Sequence, residues 1–342
     1  MNILHIDAFA GISGDMMVSA LRDLGVAEEV FQDALRSLPI SLPRCRFERG
    51  ERGHIAGWRF LVEGHDGHEG APADHHHPEP SHGDHHHHAP SLSHEHIHHH
   101  GESHAHGRTH AEIVTLLKGS TLPADVKKRA LSVFHRIAIA EGAIHGVPPE
   151  QVGFHEVGAE DSIADIVCAC AGIESLKVQT FTCGPLIEGT GHLHCAHGTF
   201  PLPAPATLAL LQGIPFRQVE ESWEHITPTG AALLTEYVTT FGGMSEMSVS
   251  KIGYGLGSRQ TPNRPNALRL ILGESVQTGH SNLDEVVELR TNLDDLSPEL
   301  AAHSLERFLA AGALDATLTP TVMKKGRSGW ILEVLALSLI HI

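Results

Sequence analysis

Apolar and polar positions alternate along this chain in blocks that read as α/β. The opening apolar run, Ile3 to Ile6, suits a buried strand. A glycine turn follows, Gly11 to Gly14, and then a helix from Asp15 to Leu24 stopped by Gly25. A second helix fits Glu28 to Leu38, and Arg44 to Glu51 with Ile55 to Glu63 reads as a strand pair. Thr109 stands where it would cap a helix over 110–117, and further helices are predicted over 124–145 and 161–176. Val178 to Cys183 reads as a strand, and a Gly/His/Pro loop leads from it to a helix over Ala204 to Leu211. Thr227 with Pro228 opens another helix, running to about Thr240. Strands are predicted over 246–254 and 266–272, then a polar linker from Gly273 to Asn282. The last part reads strand (285–291), helix (298–311), strand (314–320), strand (330–336), the first two-thirds of a βαββαβ unit.

One stretch interrupts this pattern. From Gly64 to Gly107 the chain is His, Gly, Pro, Ser and acid with almost nothing to bury, so a disordered insertion is expected. The fold expected is therefore mixed α/β (α+β). An α/β domain spans 1–272 and carries the 64–107 insertion. A linker (273–283) joins it to an incomplete ferredoxin-like domain (284–336). The final LSLIHI, 337–342, matches the translation of a common sequencing adaptor. It is expected to be a non-native tail, with the natural protein continuing past Ala336.

Composition narrows the function. At 342 residues there is room for two or three domains. The formal charge of −17 excludes a general nucleic-acid binder, whose footprint is basic, and aromatics at 5% offer few stacking platforms. No run of 18 apolar residues occurs, so no membrane span is expected, and MNILHIDAFAG lacks the basic region of a signal peptide. Five cysteines without a C-x-x-C pair (Cys45, Cys168, Cys170, Cys183 and Cys195) point to a reducing cytoplasm, with Cys168 and Cys170 as core residues.

The 30 histidines change the picture, because 18 of them fall between His65 and His110. Runs such as His85, His86, His87 and His88, or His94-x-His96-x-His98-His99-His100, let backbone wrap a cation in neutral imidazoles. The plainer alternative is a solvated linker with incidental affinity. Metal storage or delivery is expected rather than catalysis, since a floppy segment cannot preorganise a reacting centre. Composition does not choose among nickel, zinc and copper.

Other candidate chemistry is local. Asp7, Gly11, Gly14 and Asp15 lie at the first strand-to-helix turn, where glycines and a helix start suit an anion and two carboxylates suit a cation. Equally, the glycines make a turn and Asp15 complements the helix dipole. In GFHEVGAEDSIADIV, His155 and Glu156 are adjacent and Asp161 and Asp165 share a helix face, which is metal or acid–base machinery unless the aspartates merely cap and solvate. His192, His194, Cys195 and His197 cluster before a Pro-stiffened connection. The Thr227–Gly230 turn and the glycines of GYGLGSR (253–259) allow phosphate contact or simple turn chemistry. Asn292, Asp294 and Asp295 end a strand, and Lys324, Lys325 and Arg327 crowd a glycine turn. Together they resemble the two halves of a metal–triphosphate site, or else a solvated cap and a basic loop.

In order along the chain, DAFAGISGDM, the His-rich insertion, FHEVGAEDSIADIV, CAHGTFPLPAPAT, TPTGAALL, PNALRL, TNLDDLSPE, AGALDATLTP and MKKGRSG resemble the LarC family, the pyridinium-3,5-bisthiocarboxylic acid mononucleotide nickel chelatases. The resemblance implies insertion of nickel, coupled to CTP with Mn or Mg, into a pyridinium bisthiocarboxylate mononucleotide. The product holds nickel by two sulfurs and a ring carbon and serves lactate racemase, whose apoprotein is then a partner. Carried onto this sequence, Asp294, Asp295, Lys324, Lys325 and Arg327 belong to the nucleotide site. Asp7, Asp15, His155, Glu156, Asp161 and His197 belong to the nickel or substrate side, with the substrate phosphate on the Gly11–Gly14 turn. Loss of the ring proton needs a base, for which His155 or Glu156 is expected. Neither nucleic acid nor membrane is expected as a partner, and a homo-oligomer is left open. The rival readings are a non-enzymatic metal buffer and a metal-dependent nucleotide hydrolase.

Overall fold

The computed structural model describes residues 1–63, 108–154, 159–195, 198–276 and 286–337. The chain divides into two compact units, Met1–Val276 and Gln277–Ile342.

In the first unit, β1 (Asn2–Asp7) buries Ile3, Leu4, His5 and Ile6 in succession. An unbroken buried run is what a strand enclosed on both faces requires. α1 (Gly14–Leu24) turns Met16, Met17, Val18, Leu21 and Leu24 inward and closes on Gly25 in the left-handed region, φ 108°. α2 (Glu28–Arg36) follows, then the antiparallel pair β2 (Cys45–Arg52) and β3 (Ile55–Val62). The chain resumes at α3 (His110–Gly119), where Thr109 and Glu112 form the reciprocal capping pair. α4 (Ala124–His145) and α5 (Glu160–Ser175) complete the helical layer; Cys168 and Cys170 lie in its core, fully buried.

β4 (Thr180–Cys183) returns the chain to the main sheet. The stretch expected as a loop is instead partly ordered into β5 (Leu186–Glu188) and the hairpin β6 (His192–Cys195) with β7 (Gly198–Pro201). That hairpin is short, with His192 and His194 exposed and Leu193 and Phe200, which pair across it, only half-buried, so its alternation marks no core strand. Next come α6 (Pro205–Leu210), β8 (Phe216–Gln218), α7 (Pro228–Tyr237) capped by Thr227, β9 (Thr240–Phe241), β10 (Met247–Leu256) and β11 (Ala267–Ser275). β11 runs on through Gly273 to Ser275, three residues into the expected linker. Gly253 and Gly255, considered above for a phosphate loop, lie inside β10, where a Cβ would meet Ala20 O at 2.5 Å and Met16 O at 1.9 Å. They let α1 rest directly on the strand.

The seven-stranded sheet has the order β2-β3-β10-β11-β1-β4-β9. β1 is parallel to β4 and antiparallel to β11, so direction changes between β11 and β1, and Asp7 stands at the carboxyl end of β1. Among the described residues no helix is long and apolar enough to cross a membrane.

The second unit contains β12 (Val286–Leu293), α8 (Pro298–Ala310), β13 (Asp315–Val322) and β14 (Ser328–Leu337), in sheet order β12-β14-β13 with every pairing antiparallel. Ser297 caps α8 and Pro298 opens it. Leu332 and Val334 are buried, while Leu289, which pairs with Val334 in register, is 57% exposed, so apolar surface on β12 is left uncovered. Leu337 is the last residue of β14, and the rest of the expected tail lies outside the described residues.

Candidate functional site

The carboxyl end of β1 carries Asp7, whose Oδ2 accepts from Nε of Arg269 at 3.0 Å and from its Nη2. Asp7 is thus ion-paired across to β11. Two residues back, the Nδ1 of His5 bonds Thr182 Oγ1 on β4 at 2.8 Å. Burial lowers the His5 pKa; Asp7 raises it and Arg269 lowers it by smaller amounts.

The turn after Asp7 is held by a buried polar network that the sequence analysis missed. The fully buried carboxylate of Glu188 accepts from the backbone N–H of Gly189 (2.6 Å), His225 (2.8 Å) and Ile226 (3.0 Å). His225 Nε2 donates to Glu221 at 2.9 Å and Nδ1 to Trp223 O at 3.1 Å, as an imidazolium would. Burial pulls the His225 pKa down, but its bonds to Glu188 and Glu221 and their charges outweigh that and raise it. Arg264 binds the same Glu221 at 2.8 Å and reaches Phe9 O at 3.1 Å. Glu221 and His225 sit at i, i+4 in ESWEH, the one local signal; Glu188 and Arg264 offered none.

This network fixes the glycine turn. Gly11 (φ 102°) donates to Ala8 O at 3.0 Å, Ile12 to His225 O at 2.8 Å, and Gly14 to Thr229 Oγ1 at 3.3 Å. The N–H groups of Gly11 and Gly14, expected to meet a phosphate, are therefore already partnered. Close approach explains the glycines instead, since a Cβ on Gly14 would lie 2.7 Å from Asp165 Cβ.

Carboxylates gather at that contact. Asp165 keeps partial exposure, yet its pKa is raised well above the usual carboxylate range. Desolvation is the main cause, followed by the charges of Asp15 and Asp161, against a lowering bond from the Asp15 N–H. Asp15 also accepts from Ser13 Oγ. The starts of α1 and α5 thus bring Asp15, Asp161 and Asp165 together. Among the described residues, however, no group of three or more His, Cys, Asp or Glu side chains is arranged to hold a metal ion.

His155, Glu156, His197 and the expected ligands His85, His86, His87, His88, His98, His99 and His100 lie outside the described residues. The flanks of His155 are described: Phe154 is fully buried and donates to Arg108 O at 3.2 Å, and α5 begins at Glu160. His194, exposed on β6, bonds Thr199 Oγ1 at 2.7 Å.

In the second unit the register pairs Leu293 with Trp330, so Asp294 and Asp295 leave β12 at the sheet end where the 324–327 turn enters β14. All five residues are exposed. Lys325 has φ 64°, an uncommon conformation for a side chain with a Cβ, and Met323 N–H closes the turn on Arg327 O at 2.7 Å. Lys324, Lys325 and Arg327 have no ion-pair partner among the described residues, leaving three cations and two carboxylates open at one edge.

These features define a two-unit mixed α/β protein with clustered carboxylates at the helix starts of one unit and an open cationic turn in the other. Comparison with known proteins gives its family. Residues 4–338 match the model for nickel insertion protein, and the chain belongs to that family. It is 38% identical over 342 residues to the pyridinium-3,5-bisthiocarboxylic acid mononucleotide nickel insertion protein of Geobacillus kaustophilus, covering 98% of this chain and 77% of that protein. A putative nickel insertion protein of Geobacter metallireducens is 40% identical over 340 residues, with the same coverage. One from Geobacter sulfurreducens is 40% identical over 329 residues, 96% of this chain and 75% of the other. No solved structure gives a significant match.

Proposed function

We propose that this protein is an enzyme that inserts nickel into pyridinium-3,5-bisthiocarboxylic acid mononucleotide, the molecule for which its Geobacillus kaustophilus relative is named. The observation that carries this reading is the convergence of Asp15, Asp161 and Asp165 at the helix starts of the first unit, in a chain aligned with its relatives almost throughout. Nickel is the substrate cation, drawn in by the carboxylates and by a chain of net charge −17. Thiocarboxylate sulfurs and a ring carbon suit nickel better than hard oxygen ligands do. As the metal–carbon bond forms, the ring proton leaves, and His155 or Glu156 accepts it.

The second unit binds the nucleotide. Lys324, Lys325 and Arg327 hold the phosphates of CTP, and Asp294 and Asp295 hold its Mn or Mg; when bound, the nucleotide drives insertion. The unpartnered cations of a strained turn fit that role. The second unit is ferredoxin-like and the enzyme a cytoplasmic lyase. Its product goes to an enzyme such as lactate racemase. The histidines of 65–107 gather nickel without taking part in the chemistry.

The test gives full-length protein, and a variant lacking 65–107, the mononucleotide, nickel, CTP and manganese, and reads activation of apo-lactate racemase. Both are expected to activate it at saturating nickel, the variant falling behind when nickel is scarce. Activation by neither overturns the reading and favours a metal buffer. CTP breakdown without the mononucleotide favours a nucleotide hydrolase.

A further inference from the structure

His110 opens α3 only three residues after Gly107, where the His-rich segment ends. Its backbone N–H donates to Val152 O at 2.9 Å, Thr109 bridges Gly153, and Phe154 donates to Arg108 O. The re-entry point of the His-rich segment is therefore stitched to the strip of chain that runs into His155. The side chain of His110 is 5% exposed, and neither ring nitrogen has a hydrogen-bond partner among the described residues. Burial and then the charge of His135 lower its pKa, against smaller raising contributions from the charge of Glu150 and from the Pro149 carbonyl. A buried imidazole with both nitrogens unmet is rare, because each has given up water for nothing.

What faces it is a second imidazole. His135, from the middle of α4, places its ring centroid 5.5 Å from that of His110 at an interplanar angle of 33°. Two imidazoles on one ion, each nitrogen about 2.0–2.1 Å from the metal, bring their centroids roughly 4.5 Å apart at a right angle and about 5 Å at the tetrahedral angle, so a small rotation of the exposed His135 lets the two share an ion. Phe154 closes the inner side edge-on at 6.2 Å, and His135 is exposed, so the pair opens outward.

We propose that His110 and His135 form a two-imidazole site for a divalent late transition metal, nickel in this protein, where the His-rich segment rejoins the fold. The site extends the nickel-insertion reading and, in its role though not in its existence, rests on it. Among the described residues no three ligating side chains are arranged to hold an ion together, Glu150 acting on His110 only through its charge, so water completes the coordination. Two protein nitrogens hold nickel long enough to concentrate it and weakly enough to release it towards the carboxylates.

The test uses crystals of the full-length protein soaked in nickel, with anomalous data above and below the nickel edge. The expected result is an edge-specific peak between the two rings, lost in His110→Phe, which keeps the aromatic contact with Phe154. It should also be lost in His135→Gln, a change at an exposed position that leaves the core intact. Nickel peaks only elsewhere, or a peak that survives both substitutions, overturn the site. Racemase activation is measured on the same preparations. Insertion without the peak removes the site and leaves the proposed function; the peak without insertion does the reverse. If nickel passes through this pair, His135→Gln also slows insertion at limiting nickel and recovers at saturation.

Discussion

The carbonyl oxygen of His225 fills the space a side chain at Gly11 would need, lying 2.0 Å from the ideal Cβ position. Gly11 also has φ 102°, which L side chains rarely adopt. Gly11→Ala therefore meets both backbone strain, of order 1–3 kcal/mol, and a clash with main chain that Glu188 holds rigidly. Chemical denaturation should show a lower midpoint at unchanged slope. A variant as stable as wild type would mean that the turn yields freely and that the Glu188–His225 network does not hold it.

The same network makes stability depend on pH. The pKa of His225 is raised in the folded protein. Its contribution is therefore complete below the unfolded value of about 6.5 and is lost as pH rises through the higher folded value. Glu221→Gln removes one of the two carboxylates that raise it, so the loss should be complete at lower pH and smaller in total. Denaturation midpoints between about pH 5 and 9 test this; parallel curves for the two proteins would contradict it.

Asp165 behaves in the same direction for a different reason. Its raised pKa favours the neutral acid, so its contribution is full below the unfolded value of about 3.9 and is lost as pH rises through the folded one. Asp165→Asn keeps the shape of that neutral acid. Near neutral pH the variant should equal or exceed wild type in stability, and its pH slope should be flatter. If insertion also fails while stability holds, Asp165 is needed for its charge or its proton and not for packing.

Much of this was legible in the sequence because it is local. The run Ile3–Ile6, the Thr109 cap, the Thr227–Pro228 helix start and Gly25 all act within a few residues, and each element lies close to its expected place. The β6–β7 hairpin was not legible, since its strands are four residues each and its cross-strand apolar pair, Leu193 with Phe200, is only half-buried. The site was legible as residue types but not as partners. Asp7 and Arg269 are 262 residues apart in sequence, and nothing near either names the other. The Gly11–Gly14 turn left two readings open for a related reason: glycine needed for close approach to His225 and Asp165 looks, in one dimension, like glycine needed to admit a phosphate.

Lys325 separates strain from charge in the second unit. At φ 64° a lysine is held where glycine would rest more easily, at a cost of about 1–2 kcal/mol. Lys325→Gly should therefore leave stability unchanged or improve it, while removing one of three cations. CTP binding in the presence of manganese should weaken, and its salt dependence should become shallower as one Coulombic contact disappears. Lys324→Ala removes a neighbouring cation without relieving any strain, so it should weaken CTP binding with no gain in stability. Titration calorimetry and thermal melts on the full-length variants distinguish the cases. If both bind CTP as wild type does, the cationic turn is not the nucleotide site, and its strain must serve the β13–β14 connection alone.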